Sequence, residues 1–164
     1  MSDLSLSGEE LLTWNETTAK KWHELVTRHP ELLAYPCDIM NVKTAGELLQ
    51  HIVAVELRYA EQLSNLPTTD YANIPYSTAN QIYATHEKAM ALFKTLLASP
   101  LDWNETIEFT TRMMGPAKSA RKTIFIHAMM HSIRHYAQLA TLVRQHGISP
   151  GWPMDYLFMD IQRA

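Results

Sequence analysis

Two histidines, His131 and His135, lie four residues apart in the segment MMHSIRHYAQ, which otherwise has the pattern of a helix packed into a core. Side chains four residues apart on a helix point the same way and are separated by about 6 Å along its axis. Two imidazoles at this spacing can bind one transition metal ion, each through a bond of about 2.0–2.1 Å. The pair is therefore a candidate for a metal site, a catalytic base, or two core histidines without a special role.

A third histidine, His51, lies in the segment LLQHIVAVELRYAEQL, on the same predicted helix face as the apolar residues Leu48 and Val55. An inward-facing His51 on one helix and the pair on another would supply three imidazoles to one ion. Such a set leaves one or more coordination positions open to water or substrate, as in catalytic zinc sites. Nickel, iron and copper also accept imidazole ligands.

The residues by themselves leave the ligand set open. His127 lies one turn before His131, so the pair could instead be His127 and His131. His86, on a third predicted helix, lies four residues after Ile82 on the inner face, where it could be a ligand, a neighbour of a ligand or a base. The remaining histidines lie near predicted helix ends or on polar faces and have no predicted role: His23, His29 and His146.

Four segments with helical periodicity carry these residues, and capping residues predict where each helix begins. Ser7 with Glu10 forms a capping-box pattern for a first helix that runs to about Arg28. Thr44 with Glu47 repeats the pattern at the start of the second helix, which carries His51.

The third and fourth helices are bounded in the same way. Ser77 is the predicted cap of the third helix, which Ser99-Pro100 ends. The fourth helix is predicted from about Ser119 to His146, because Gly147 is suited to a left-handed residue after a helix end.

The connections between the helices are long. Residues 65–76 contain two prolines and predict a loop, whereas TIEFTT, within residues 101–122, has the β-branched and aromatic content of an extended segment. Gly115-Pro116 predicts a turn, and the aromatic tail after Gly147 is predicted to pack back on the body. We therefore predict an all-α fold, a four-helix bundle formed as one domain by residues 1–164, whose long connections permit a crossover topology.

Composition restricts the classes of function. The net charge of −3, without a Lys/Arg cluster, argues against a nucleic-acid partner. No apolar run approaches the roughly 20 residues of a membrane-spanning helix, and the N-terminus MSDLSLSGEE lacks a signal-peptide pattern. The single cysteine, Cys37, cannot form an internal disulfide, which favours a cytoplasmic protein. Cys37 could be a nucleophile, but it lies in a Pro-Cys-Asp loop without an assigned base, and the interpretation that we favour gives it no role.

Two segments, LLQHIVAVELRYAEQL and HAMMHSIRHYAQLATLVRQHG, resemble helices two and four of the DinB/YfiT-like family of bacterial metal-binding four-helix bundles. That family typically has a histidine early in helix two, a His-x-x-x-His pair in helix four, a following glutamine and an ending similar to LLR..G. The matching residues here are His51, His131, His135, Gln138, the segment 142–144 and Gly147. Many members have Arg-Gly between the second histidine of the pair and the glutamine, where this chain has Tyr136-Ala137.

The resemblance implies that His51, His131 and His135 are the metal ligands and that His127 is an accessory residue one turn away. It also implies a divalent ion, commonly nickel or zinc, and a homodimer. Some relatives of this fold are transferases or isomerases that use a small cellular thiol such as bacillithiol or mycothiol.

Three neutral imidazoles leave a bound ion with its full positive charge, which favours a bound thiolate or hydroxide. The interpretation that we favour is transfer of a thiol to a small electrophile. The alternatives are metal-assisted hydrolysis, for which neither Glu47 nor Glu56 is a convincing base, and a non-enzymatic metal- or ligand-binding stress protein. Ligand histidines usually donate their second N–H to an acceptor, and we expect Gln138 or Glu47 to provide one.

Overall fold

Four long helices and one small hairpin form the part of the chain described by a computed structural model, residues 5–163. The helices are α1 (Gly8–Arg28), α2 (Ala45–Leu63), α3 (Ala79–Leu97) and α4 (Arg121–Gln145). The strands β1 (Thr106–Thr111) and β2 (Gly115–Ala120) pair in antiparallel register, with Thr106 opposite Ala120 and Thr111 opposite Gly115. The fold is therefore mostly α, and the strict all-α prediction missed this sheet.

The helix starts follow from local capping. Ser7 and Glu10 form a full capping box at α1, and the Thr44 side chain accepts a hydrogen bond from the backbone N–H of Glu47 at α2. The cap of α3 was predicted one residue early. The Thr78 side chain accepts from the backbone N–H of Gln81, and Ser77 lies outside the helix.

The segment before α4 shows how the hairpin displaced two predictions. TIEFTT is extended, as predicted, but the turn is formed by residues 112–114, and Gly115-Pro116 opens β2. Gly115 has φ +71°, a conformation that glycine adopts without steric cost. Because Ser119 and Ala120 pair with β1, α4 begins at Arg121 and not at Ser119.

The four helices are not arranged around the bundle in chain order. Within the described residues, α2 packs against α3 and α4, and α1 packs against α3 and α4, whereas the consecutive pairs α1/α2 and α3/α4 make few contacts. The chain therefore has a crossover topology, which the long connections between the helices permit. This order makes α2 and α4 neighbours, which is what the three-histidine site requires.

The core lies between the apolar faces of all four helices, in two clusters. One contains the buried residues Trp22, Leu49 and Tyr136, and the other contains Phe93 and Phe125. The C-terminal tail packs on the first cluster, as predicted: Trp152 meets Trp22 edge-on with ring centroids 5.5 Å apart. None of the helices in the described part of the chain combines the length and the apolar character needed to cross a lipid bilayer.

Candidate metal centre

The three predicted histidines meet between α2 and α4. His51 projects from α2, and His131 and His135 project from successive turns of α4. One nitrogen of each ring lies within 4.8 Å of the corresponding nitrogens of the other two, and all three side chains are buried. The expected convergence of the three imidazoles is therefore confirmed, and we call these residues the histidine triad.

The ring nitrogens show which atoms face the centre of the triad. The Nε2 atoms of His51 and His131 are 3.0 Å apart. The His135 ring is also oriented with Nε2 toward the centre of the triad, because its Nδ1 is 2.6 Å from Oε1 of Gln138. Since an amide oxygen can only accept, Nδ1 of His135 carries the proton, and Nε2 is left with a lone pair directed away from Gln138.

Only one of the two expected acceptors is used at the triad. Gln138 meets the prediction that a side-chain acceptor orients a triad histidine. Glu47 does not, because its carboxylate accepts a hydrogen bond of 2.6 Å from the backbone N–H of Lys43, just before α2. Glu47 therefore serves the start of the helix.

Burial keeps the triad uncharged. It lowers the pKa of His131 to about 2 and that of His51 to about 4, and nearby positive charges, including Arg134, act in the same direction. Burial also lowers the pKa of His135. All three rings are neutral at physiological pH, which is the form that binds metal ions.

The triad fits a divalent transition metal in donor chemistry and nearly in spacing. Two nitrogens bound to one ion at about 2.1 Å can be at most about 4.2 Å apart, so a span of 4.8 Å closes with small side-chain rotations. Among residues 5–163, no group makes a hydrogen bond to the buried Nδ1 of His131, so this part of the chain does not fix its proton. Arg134 donates to Nε2 of His135 at 3.3 Å, a bond that an ion would replace. All-imidazole donor sets suit zinc and nickel.

His127 and His86 lie outside the triad. His127 is exposed, and its ring centroid is 5.5 Å from that of His131, one turn along α4. The His131 and His135 register is thus the one that meets His51. His86 is buried on α3, and its Nδ1 lies 2.7 Å from a carboxylate oxygen of Glu56.

Sequence reasoning missed the role of Glu56 in a buried polar network beside the triad. Its carboxylate is fully buried, and it accepts hydrogen bonds from Nδ1 of His86 at 2.7 Å and from Oγ of Ser132 at 2.6 Å. The network joins α2, α3 and α4. Helical spacing carried the signal, since Glu56 lies four residues from Ile52 and from Ala60, both of which are buried.

Two other residues considered in the sequence analysis, Cys37 and Tyr136, lie in or beside the core. Cys37 is half-buried beside the core, and burial raises the pKa of its thiol, which disfavours the reactive thiolate. Tyr136, at one of the positions where many relatives carry Arg-Gly, is fully buried and stacks on Trp22 with ring centroids 5.7 Å apart. Tyr136 is therefore a core residue.

Comparison with known proteins agrees with the geometry. No curated protein sequence matches the chain closely enough to count as a relative. The family model described as "DinB family" matches residues 1–163, which is nearly the whole chain. With a four-helix fold and a three-histidine cluster between α2 and α4 that could hold a metal ion, this chain belongs to the DinB family.

Proposed function

We propose that His51, His131 and His135 bind one divalent metal ion, nickel or zinc, and that the protein transfers a small thiol to a small electrophile. The observation that carries the proposal is the buried cluster of three neutral imidazoles, with which no carboxylate donor is grouped in the described range 5–163. When bound, the ion supplies a positive charge that lowers the pKa of a thiol.

Residues of the chain orient the metal ligands and accept the thiol proton in this proposal. The triad and Gln138 hold and orient the ligand atoms. His127 is the group that we assign to accept the thiol proton. Its exposed ring lies one turn from His131, and burial of part of the ring and the charge of Arg134 lower its pKa, so it is neutral and able to accept a proton.

Hydrolysis is the less favoured alternative because it calls for a free base beside the ion. Both carboxylates considered for that role already accept hydrogen bonds, Glu47 from the chain before α2 and Glu56 from His86 and Ser132. A non-enzymatic metal- or ligand-binding protein is the remaining alternative, and it differs from the first proposal only in turnover.

Metal analysis of protein purified without a histidine tag, followed by a conjugation assay, tests the proposal. We expect about one nickel or zinc ion per chain and metal-dependent reaction of cysteine with monobromobimane. In that reaction a carbon–sulfur bond forms as the carbon–bromine bond breaks, bromide leaves, and the thiol proton passes through His127 to solvent.

The results of these assays distinguish a thiol transferase, a hydrolase and a non-enzymatic binding protein. Bound metal without conjugation would support a binding protein, and metal-dependent cleavage of a nitrophenyl ester without conjugation would support a hydrolase. His131→Ala is the matched negative control, because it removes one triad nitrogen.

The cellular setting is part of the same proposal. We propose a cytoplasmic homodimer whose partners are small molecules, among them a low-molecular-weight thiol, and not nucleic acid or a membrane. Sedimentation equilibrium of the metal-loaded protein tests the dimer, for which the expected mass is twice that of the 18.8 kDa chain.

A further inference from the structure

A small cavity lies beside the triad, between α2 and the β1–β2 hairpin. Its volume is about 50 Å³, and the residues that line it include His51, Tyr59, Gln62, Tyr71, Thr110 and Arg112. This volume holds a few water molecules or a group as small as a carboxylate. Because His51 is both a triad residue and part of the cavity wall, a ligand at the triad can extend one group into the cavity.

Arg112 provides the cavity with an oriented cation. It lies in the turn of the hairpin, and its guanidinium carbon is 4.3 Å from the ring centroid of Tyr71. An aromatic ring beside a guanidinium attracts its charge and covers one face, and N–H groups at the edge can still donate to a planar acceptor.

The hairpin that carries Arg112 is fastened to α2. The Gln62 side chain accepts from the backbone N–H of Thr110 at 2.6 Å and donates to its carbonyl at 3.2 Å. Gln62 therefore fixes the strand two residues before Arg112, and the guanidinium is positioned by the fold.

Arg134 supplies a second cation from the α4 side. One nitrogen of its guanidinium is 3.3 Å from Nε2 of His135, so it borders the triad directly. Within residues 5–163, neither Arg112 nor Arg134 takes part in an ion pair.

The acidic residues of α2 do not neutralise these cations. The Glu47 carboxylate accepts a hydrogen bond from the backbone N–H of Lys43. The Glu56 carboxylate accepts hydrogen bonds from His86 and Ser132. Glu61 pairs with Lys88 and accepts two hydrogen bonds from Thr69. Arg58 also lines the cavity, where its guanidinium donates to the backbone carbonyl of Thr69. Among residues 5–163, the cations at the edge of the triad thus lack a matching anion, which a bound ligand can supply.

We propose that Arg112 and Arg134 bind a carboxylate of the molecule that occupies the triad, so that the substrate class of this site is a small carboxylic acid. Paired N–H donors of arginine match the two oxygens of a carboxylate, and such charge-assisted bonds are about twice as strong as neutral ones. The inference rests on the proposed function, because it assumes that the triad is the place where the substrate binds.

Thiol binding to the cobalt-loaded protein provides a test that does not depend on turnover. The probes are 3-mercaptopropionate and its methyl ester, which offer the same sulfur but differ in charge. Binding of each is followed by the sulfur-to-cobalt charge-transfer absorption, and the quantity compared is the ratio of the two affinities. Comparing this ratio between proteins cancels differences in thiol acidity and in chelation by the free acid.

The ratio is the affinity for 3-mercaptopropionate divided by the affinity for its methyl ester. We expect this ratio to be about tenfold lower in Arg112→Gln than in the wild type, because one charged hydrogen bond is lost. Arg112→Lys should keep part of the preference, and Arg134→Gln should lose it as well. Lys118→Gln is the matched control, since it removes a positive charge from the same hairpin at a residue paired with Glu108. An unchanged ratio in both arginine variants would overturn the inference.

Failure of the proposed function has a different signature. If the protein takes up no cobalt, or if neither thiol changes the absorption, the thiol-transfer proposal fails. Calorimetric titration of the same samples with succinate and with dimethyl succinate then tests the arginines separately. Binding of succinate that is lost in Arg112→Gln would keep the inference, and equal behaviour of acid and ester would reject it.

Discussion

His131 shows how a single side chain can be retained for chemistry where an apolar residue would pack better. It lies between the other two triad histidines, with ring centroids 4.8 Å from His51 and 4.4 Å from His135. Its buried Nδ1 has no hydrogen-bond partner in the part of the chain that the structure describes, which costs free energy in the folded protein. The folded state thus gains little from this imidazole unless a ligand binds it.

We therefore expect His131→Ala to abolish stoichiometric metal binding and to leave a folded, helical protein. The free energy of unfolding should fall by no more than about 3 kcal/mol, the usual limit for point variants. Metal analysis and thermal melting by circular dichroism on the same samples measure both quantities. His127→Ala, one turn away and outside the triad, should bind metal as the wild type does. Loss of metal from both variants would refute the assigned register.

Gln138 acts on the metal through the orientation of His135. Removing the acceptor in Gln138→Ala frees the imidazole to rotate and to change tautomer, and we expect metal affinity to fall about 10- to 100-fold. Gln138→Glu keeps an acceptor for Nδ1 and should bind metal far better than the alanine variant. Competition with a chromogenic chelator gives the affinities. Equal affinity in the wild type and Gln138→Ala would show that this hydrogen bond does not organise the site.

Among the helices, α2 connects the triad to the interior of the bundle. His51 and Glu56 lie on this one helix; His51 faces α4, and Glu56 bonds to His86 of α3 and Ser132 of α4. Burial by itself lowers the pKa of His86, but the charge and hydrogen bond of Glu56 outweigh it, with smaller contributions from Glu16 and Glu87, and the pKa is raised.

The raised pKa sets the pH range in which this pair stabilises the fold. A histidine whose pKa is higher in the folded than in the unfolded state adds stability that is complete below the unfolded value of about 6.5 and is lost as pH rises through the folded value. We expect His86→Gln in the metal-free protein to lower the free energy of unfolding by about 3 kcal/mol at low pH, as for a broken buried pair. The deficit should shrink as the pH is raised.

Urea denaturation at pH 6 and pH 9 measures that deficit. His29→Gln is the matched control, because His29 forms the same kind of pair with Glu31 on the exposed surface. Water and salt screen an exposed pair, so this control should change the free energy of unfolding little at either pH. A deficit for His86→Gln that grows with pH would contradict the raised pKa.

The hairpin is the element that brings Arg112 to the cavity beside the triad, and Gln62 holds it there. Gln62→Ala removes both hydrogen bonds to Thr110. We expect it to weaken the preference for a carboxylate-bearing thiol by several-fold and to leave metal content unchanged, because the triad lies on α2 and α4. The cobalt titration measures the first quantity and metal analysis the second. A lower metal content would mean that the hairpin also supports the triad.

For the whole molecule, the core and not the triad sustains the fold. Buried apolar side chains of all four helices make two clusters, whereas the triad contributes three polar rings. We expect the metal-free protein to stay folded and cooperative, and metal to raise its stability by mass action, by about 2.7 kcal/mol at a free metal concentration 100 times the Kd. Thermal melting with and without a chelator tests this. A metal-free protein without helical signal would make the ion structural.

Much of this structure follows from short-range features of the sequence. Helix capping by Ser7 and Thr44 depends on residues within four positions of each cap. The same short range fixes the periodicity that turns His51 inward. It also fixes the i, i+4 spacing of His131 and His135. The extended TIEFTT segment is also local. These features predicted four helices, the three histidines and the glutamine, and the family resemblance selected the pair within α4.

Only the tertiary structure decided which helices become neighbours. That choice depends on the apolar faces of all four helices at once, and it places α2 between α3 and α4 although α1 precedes it in the chain. This packing brings Nε2 of His51 to Nε2 of His131 and buries Glu56 between His86 and Ser132. It also places Arg112 beside His51. Local sequence determined the donors of the site, and long-range packing determined which charges surround them, because charges act across space and not along the chain.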